Sequence, residues 1–289
     1  MAISAEDRLG TGLPVRDTEW AEDPAGRSHW WVELLVVLWL CLLYDDINDD
    51  APIRQSAALA HARSILHFEN LLHLNPELSL NAWAAAHVGI ALPMADFYDT
   101  AHFVVTLGLA ALLWWRYPKL YRPLRNTLVL INVVGFLVFW VYPLAPPRML
   151  PGAGFIDVVA ITHAWGSWRT SPVASQANEL AAMPSLHVAW ACWSAWAGWQ
   201  ILAGRRWRPV VLIYPLMTAL IVMATANHFF LDVVGGVATV AIAYGMGLLL
   251  VAFMQLPRPH ACVLAVRAPA QRAGAWLRAR PWWPSRSSS

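Results

Sequence analysis

The sequence predicts an all-α membrane protein: a six-transmembrane-helix bundle with an additional interfacial or re-entrant helical segment on the outer side. Three observations predict it. Of 289 residues, 58% are apolar and only 13% charged, against roughly 25% charged in a soluble domain. That balance excludes an ordinary soluble domain, and it excludes disorder, which needs low hydrophobicity and high charge. Apolar runs close to the length of a membrane span recur along the chain. The basic residues are also sorted, because 16 of the 20 Lys and Arg fall in segments that six spans place on one face.

Residues 1–28 are polar and mixed in charge, with Glu6, Asp7, Asp17, Glu19, Glu22 and Asp23. They do not start basic and turn apolar as a secretory signal does, so they read as an N-terminal tail. A membrane domain is expected over 29–256. Its first span, about 29–46, is short and carries Glu33, but Trp30 and Trp31 mark one interface and Asp45–Asp46 the other. Residues 51–95 are expected at the outer interface. Within them, 51–79 set Ala57, Ala58, Ala60, Ile65, Leu66 and Leu72 against His61, Arg63, Glu69 and His73, the pattern of a moderately amphipathic helix. The 82–95 run is apolar but short, with His87 inside it and Pro93 near its end, and reads as re-entrant or interfacial, a full span being the alternative. Clearer spans follow at about 101–116, 127–145, 187–204, 209–226 and 229–254. The segment 257–289 is a basic C-terminal tail.

The loops carrying Arg116, Lys119, Arg122 and Arg125, and then Arg205, Arg206 and Arg208, lie on the same side as both tails; Arg54, Arg63, Arg148 and Arg169 lie opposite. The positive-inside rule therefore puts both termini in the cytoplasm. A net charge of +2 gives no reason to expect nucleic acid. Cys41, Cys192 and Cys262 lack metal-type spacing and read as small hydrophobes. Trp190, Trp193, Trp196 and Trp199 recur every three residues, a stripe suited to packing and lipid contact.

Three short segments carry the chemistry, and the topology brings all three to the outer side. They are Pro146-Pro147-Arg148, Met183-Pro184-Ser185-Leu186-His187, and Asn227-His228-Phe229-Phe230-Leu231-Asp232. Pro184 suits the first turn of a helix, whose unpaired N–H groups and positive dipole end make an anion site. Ser185 adds a hydroxyl, and His187 stands where it can hold a proton above that anion. His228 and Asp232 are four apart and share a helix face. The carboxylate can fix the imidazole tautomer and leave the other ring nitrogen nucleophilic. Arg148 offers a planar donor fork to phosphate oxygens. Two His and one Asp also suit a metal ion, but the helix start and the arginine favour an anion, so no metal and no cofactor is expected. His87 and His163 read as packing and loop residues.

The ordered set Pro-Ser-x-His, then His-x-x-x-Asp, on a six-span bundle resembles the type-2 phosphatidic acid phosphatase superfamily. The resemblance covers roughly residues 31–250. It implies that His228 is the phosphoryl-accepting nucleophile, that Asp232 orients it, and that His187 protonates the leaving group. The chain departs from the usual pattern in three places. Leu186 stands where a Gly separates Ser from His. Ile221 and Val222 stand where the last motif begins Ser-Arg. The usual first motif, a Lys followed seven residues later by Arg-Pro, is missing, with Pro146-Pro147-Arg148 near its place. These departures, with Tyr98-Asp99-Thr100-Ala101-His102 and the Ala-rich 57–69 helix ending in Glu69, resemble the branch of fungal inositol phosphorylceramide synthase and its bacterial relatives.

The expected activity is transfer of a phospho-alcohol headgroup between membrane lipids, or to an alcohol, through phosphohistidine. Hydrolysis of phosphatidate or polyprenyl (pyro)phosphate on the same site is the alternative, and an inactive lipid-binding or transport protein a third. A phosphomonoester near neutral pH carries close to two charges and a diester one, so a site with fewer cations suits a diester lipid. Arg148 and Ser185 are the expected phosphate ligands, and Tyr98, His102, Asn227, Trp165 and Trp168 possible substrate contacts, the two tryptophans on a 149–182 loop able to cover the site.

Overall fold

The computed structural model describes residues 28–49, 54–162 and 180–255. Helices make up 81% of these, and no strand occurs among them. Residues up to Leu248 form one compact unit, and a second begins at Leu249, described only to the end of its helix at Gln255.

The chain opens with α1 (Trp30–Asp49), α2 (Gln55–Leu71) and α3 (Pro76–Ala86). It continues through α4 (Val88–Arg116), α5 (Pro118–Val141) and the single turn α6 (Val158–Thr162). It closes with α7 (Leu186–Ile201), α8 (Ile213–Ala224) and α9 (Phe230–Gln255). Val88–Arg116, Pro118–Val141 and Phe230–Phe253 are long and apolar enough to cross a membrane. The apolar helix Arg208–Ala224, whose first turn is 3-10, is shorter, as is α7 at 16 residues. Large apolar side chains such as Leu34, Val104, Leu137, Leu216 and Leu220 are exposed, an outer surface suited to lipid rather than water.

Local chemistry sets the element boundaries. The expected 82–95 segment is not one element. It breaks at His87, which leaves helical geometry at ψ 65° and whose Nδ1 donates to the Trp83 carbonyl at 2.7 Å. Residues up to Ala86 belong to α3, and Val88–Ala95 are the first turns of α4, which runs on past Pro93. Only one residue separates α4 from α5, because Pro118 at the start of α5 pushes Tyr117 out of helical geometry. Glu33 on the first apolar helix is paired: Arg125 of α5 reaches it at 3.2 Å.

The core is small residues against large ones. Ala189 and Ala197 of α7 let Trp193 bury completely among Leu113, Leu124 and Ile131, with its indole N–H donating to the Leu124 carbonyl at 2.9 Å. Trp193 of the tryptophan stripe is thus a packing residue. Ala58 and Ala62 of α2 pack on Leu144, Ala145, Leu180, Ala182 and Phe229. Leu144 and Ala181 form an isolated parallel bridge, pinning the segment after α5 beside the one that enters α7. Cys41 and Cys192 are free thiols.

Candidate active site

Two helix starts meet here. Ser185 is the N-cap of α7, and its Oγ accepts the Val188 N–H at 3.4 Å. Pro184 therefore precedes the cap instead of occupying the first turn, and the amide of Val188 already has a partner. His187 sits one residue into the helix. Its ring stacks on Tyr98 (centroids 4.4 Å) and meets His102 edge-on at 4.3 Å. His102 Nδ1 donates to the Tyr98 carbonyl one turn back, at 3.0 Å. These two α4 residues thus wall one side of the His187 ring.

The other start is the corner from α8 into α9. Ala226 adopts φ 53° and donates to the Met223 carbonyl, while Asn227 donates to that of Val222. This is a Schellman turn with alanine where glycine is usual. It turns the chain so that His228 is buried and Phe229 caps α9. His228 Nδ1 donates to the Ala182 carbonyl at 2.8 Å and lies 3.5 Å from Asp232 Oδ2. A carbonyl only accepts, so Nδ1 carries the hydrogen and Nε2 keeps its lone pair. The backbone of Ala182, which the sequence does not single out, makes the shorter bond that fixes this tautomer. Asp232 Oδ2 also accepts the Phe229 N–H at 2.8 Å, so the carboxylate caps its own helix as well as facing the imidazole.

The rings of His187 and His228 are 5.6 Å apart, centroid to centroid, inclined at 62°. Gly236 allows this approach. A Cβ there would stand 2.5 Å from the Ser185 carbonyl and 3.2 Å from Val188 Cβ. Ser185 N–H in turn donates to the Asp232 carbonyl at 3.0 Å, joining the two motifs directly. Arg148 arrives on a 3-10 turn, Pro147–Met149. Its backbone N–H donates to the Ala226 carbonyl at 3.1 Å, its Nη1 to Asn227 Oδ1, and its Nε lies 3.7 Å from Asp157. Asn227 thus holds Arg148 beside the His228 corner. Trp165 and Trp168, with His163, Arg169 and half of the expected covering loop, lie outside the described residues.

The departures from the family pattern have physical counterparts. Leu186 packs over Gly135 of α5, where a Cβ would come within 2.7 Å of its side chain. Val222 is buried with Val188, Met223 and Val233, so an apolar core occupies the place of the usual arginine.

Two residues that carry no role in the sequence reading complete the neighbourhood. Glu69 and Glu77 are both fully buried. Glu69 Oε1 accepts the Leu231 N–H at 2.7 Å. Burial, above all, pushes the Glu69 carboxyl up to about 9, with the charges of Glu77 and Asp232 adding to it against the pull of the Leu231 amide. Glu77 is raised for the same first reason. The signal available in the sequence is a glutamate in each of two interfacial helices, Glu69 at the end of the Ala-rich one and Glu77 in the first turn of the next.

The ordered motifs and the apolar helical fold are those of a class of membrane protein that works on phosphate esters. A family model for the PAP2 superfamily matches residues 63–246, well over half of the chain, and the protein belongs to that superfamily. Its chemistry is phosphatase or phosphotransferase chemistry on lipid-type substrates. No curated protein and no solved structure matches the chain.

Proposed function

We propose that the protein is a metal-independent membrane phosphotransferase. It moves a phospho-alcohol headgroup, phosphoinositol being what the branch resemblance suggests, from a phospholipid to a lipid or alcohol acceptor. The observation that carries this reading is the ring pair: His228, with Nδ1 committed to Ala182, stands 5.6 Å from His187. His228 Nε2 attacks phosphorus, the P–N bond forms, and the bond to the departing oxygen breaks as His187 gives that oxygen a proton. General acid help of this kind contributes roughly 10²–10⁴-fold. In the second step His187 takes the proton of the acceptor alcohol, whose oxygen displaces His228. Asp232 stabilises the imidazolium, while Arg148 and the Ser185 hydroxyl hold the developing charge. Tyr98 and His102 wall the site.

The apolar core around Val222 favours a diester donor over a monoester. Where other members carry an arginine, Val222 packs among Val188, Met223 and Val233, so that position brings no cation to a second phosphate charge. We place the site at the outer face of a six-span domain with both termini in the cytoplasm, from the distribution of Lys and Arg. The test is purified protein in nanodiscs with a phospholipid mass-tagged separately on headgroup and glycerol, plus excess acceptor alcohol. The expected product carries the tagged headgroup phosphate on the acceptor, with an acid-labile phosphoryl adduct at His228. Inorganic phosphate as the sole phosphorus product overturns transfer and favours lipid phosphate hydrolysis. No turnover of any phospholipid, with no adduct, favours a binding or transport role.

A further inference from the structure

The start of α9 has a capping problem that its own sequence does not solve. Its N-cap, Phe229, has no side-chain acceptor, whereas Ser, Thr, Asp or Asn there would take the N–H of the second or third helical residue. Asp232, the third helical residue, reaches back to the Phe229 N–H, which is half of a capping box. The other half comes from 162 residues away: Glu69 Oε1 accepts the Leu231 N–H. Glu77, whose carboxyl oxygens make no well-aligned hydrogen bond, faces both Glu69 and the Phe230 amide. Carboxyl groups from three helices therefore gather around the start of α9, two of them accepting the Phe229 and Leu231 amides, just after His228.

We propose that Glu69, backed by Glu77, is a positioning residue for the nucleophile: its carboxyl clamps the first turn of α9 and so fixes where the His228 ring stands relative to phosphorus. This rests on the phosphotransfer reading. Charge explains why a pair is used. Asp232 must stay anionic to face the imidazolium, and a second full charge buried beside it is costly. A proton held between Glu69 and Glu77 lets Glu69 accept from Leu231 through one oxygen and face Glu77 through the other. The groups facing Glu69 are Glu77 from α3 and Asp232 from α9, with His228 beyond Asp232.

The experiment uses full-length protein in nanodiscs as wild type, Glu69→Ala and Glu69→Gln. It reads amide exchange of the 227–233 peptide, and kcat and KM on the tagged phospholipid across pH. Glutamine keeps a carbonyl for Leu231 and an N–H for Glu77. The expected result for Glu69→Ala is faster exchange of that peptide and a kcat loss of about 10²-fold, the cost of a small misplacement, with KM within a few-fold. Glu69→Gln should keep wild-type exchange and kcat at pH 7, and lose the part of the alkaline decline near pH 9 that the wild type shows beyond its histidines. Unchanged exchange in Glu69→Ala overturns the clamp. So does Glu69→Gln losing kcat at pH 7 or exchanging faster than wild type, which decides the matter even if the alanine variant does not fold. A wild type inactive on every phospholipid, with exchange responding as expected, overturns the phosphotransfer reading and leaves the clamp standing.

Discussion

The two helix starts that meet at the site are built in opposite ways. At α7, Ser185 caps its own helix through the Val188 N–H, three residues on. At α9, Phe229 cannot, and the orphan amides are taken by Asp232 from inside the helix and Glu69 from α2. A locally capped end is set by a few neighbouring residues. A remotely capped one depends on where α2 stands. The proposed general acid thus rides on the self-sufficient end and the proposed nucleophile on the dependent one, so damage to α2 or α3 should reach His228 before it reaches His187.

The largest expected effects separate the two ends chemically. His228→Ala should lower phosphoryl turnover on the order of 10³-fold or more, while costing about 1 kcal/mol of stability for the lost bond to Ala182. His187→Ala should cost roughly 10²–10⁴-fold on an alkyl ester, but far less on a phenolic ester whose leaving group needs no proton. Parallel kinetics on the two esters check this; equal losses on both would remove His187 from the acid role. Next comes the joint between the ends. Gly236→Ala places a methyl 2.5 Å from the Ser185 carbonyl, so the backbones must part, and turnover should fall by about 10²-fold. Gly108→Ala in α4 meets nothing within 4 Å and should leave turnover unchanged and stability equal or higher. Similar losses in the two variants would show that the close approach has no bearing on chemistry.

The comparison also explains what was legible in the sequence. Local signals carry the existence of α7, an apolar run opening near His187, but not its cap. The His228–Asp232 spacing predicts that the two side chains meet, and they do, but not along one helix face: His228 stands before the N-cap of α9 and Asp232 reaches back to it across the helix start. The Ala182 carbonyl, the Glu69–Leu231 bond and the Gly236 contact were not legible, because each joins residues far apart in the chain and depends on tertiary packing. Pro184 shows a local signal misleading: a proline near a helix start suits the first turn, but Ser185 claims the cap and leaves Pro184 outside. The span lengths are a similar case. Hydropathy marks apolar runs, yet α3 and α4 part at His87 through backbone geometry that hydropathy does not report.

pH should distinguish the ends again, by a smaller amount. With its folded value near 9 against an ordinary 4.5, Glu69 keeps a proton that the unfolded chain releases. Stability from this group is full below about pH 4.5 and is lost as pH rises toward 9. Thermal melting in nanodiscs should therefore drop between pH 5 and 9 in the wild type, and drop less in Glu69→Gln, which cannot titrate. Identical slopes in the two proteins would place the titrating group elsewhere.

The smallest effect tests whether the α7 end does more than hold itself. The Ser185 oxygen accepts from Val188, but its hydrogen remains available to a phosphate oxygen. Loss of the cap alone should cost about 1 kcal/mol of stability and leave turnover nearly intact, since the rest of α7 is anchored by Trp193 and by the Ser185 backbone bond to Asp232. If the hydroxyl also steadies the transition state, one neutral hydrogen bond more is lost, on the order of 1 kcal/mol, or several-fold in kcat. Ser185→Ala should therefore show both losses, and Ser185→Gly, which restores most of the cap's stability, only the kinetic one. If turnover in Ser185→Gly matched the wild type, the hydroxyl would be a cap and nothing else, and phosphate stabilisation on this side would fall to Arg148.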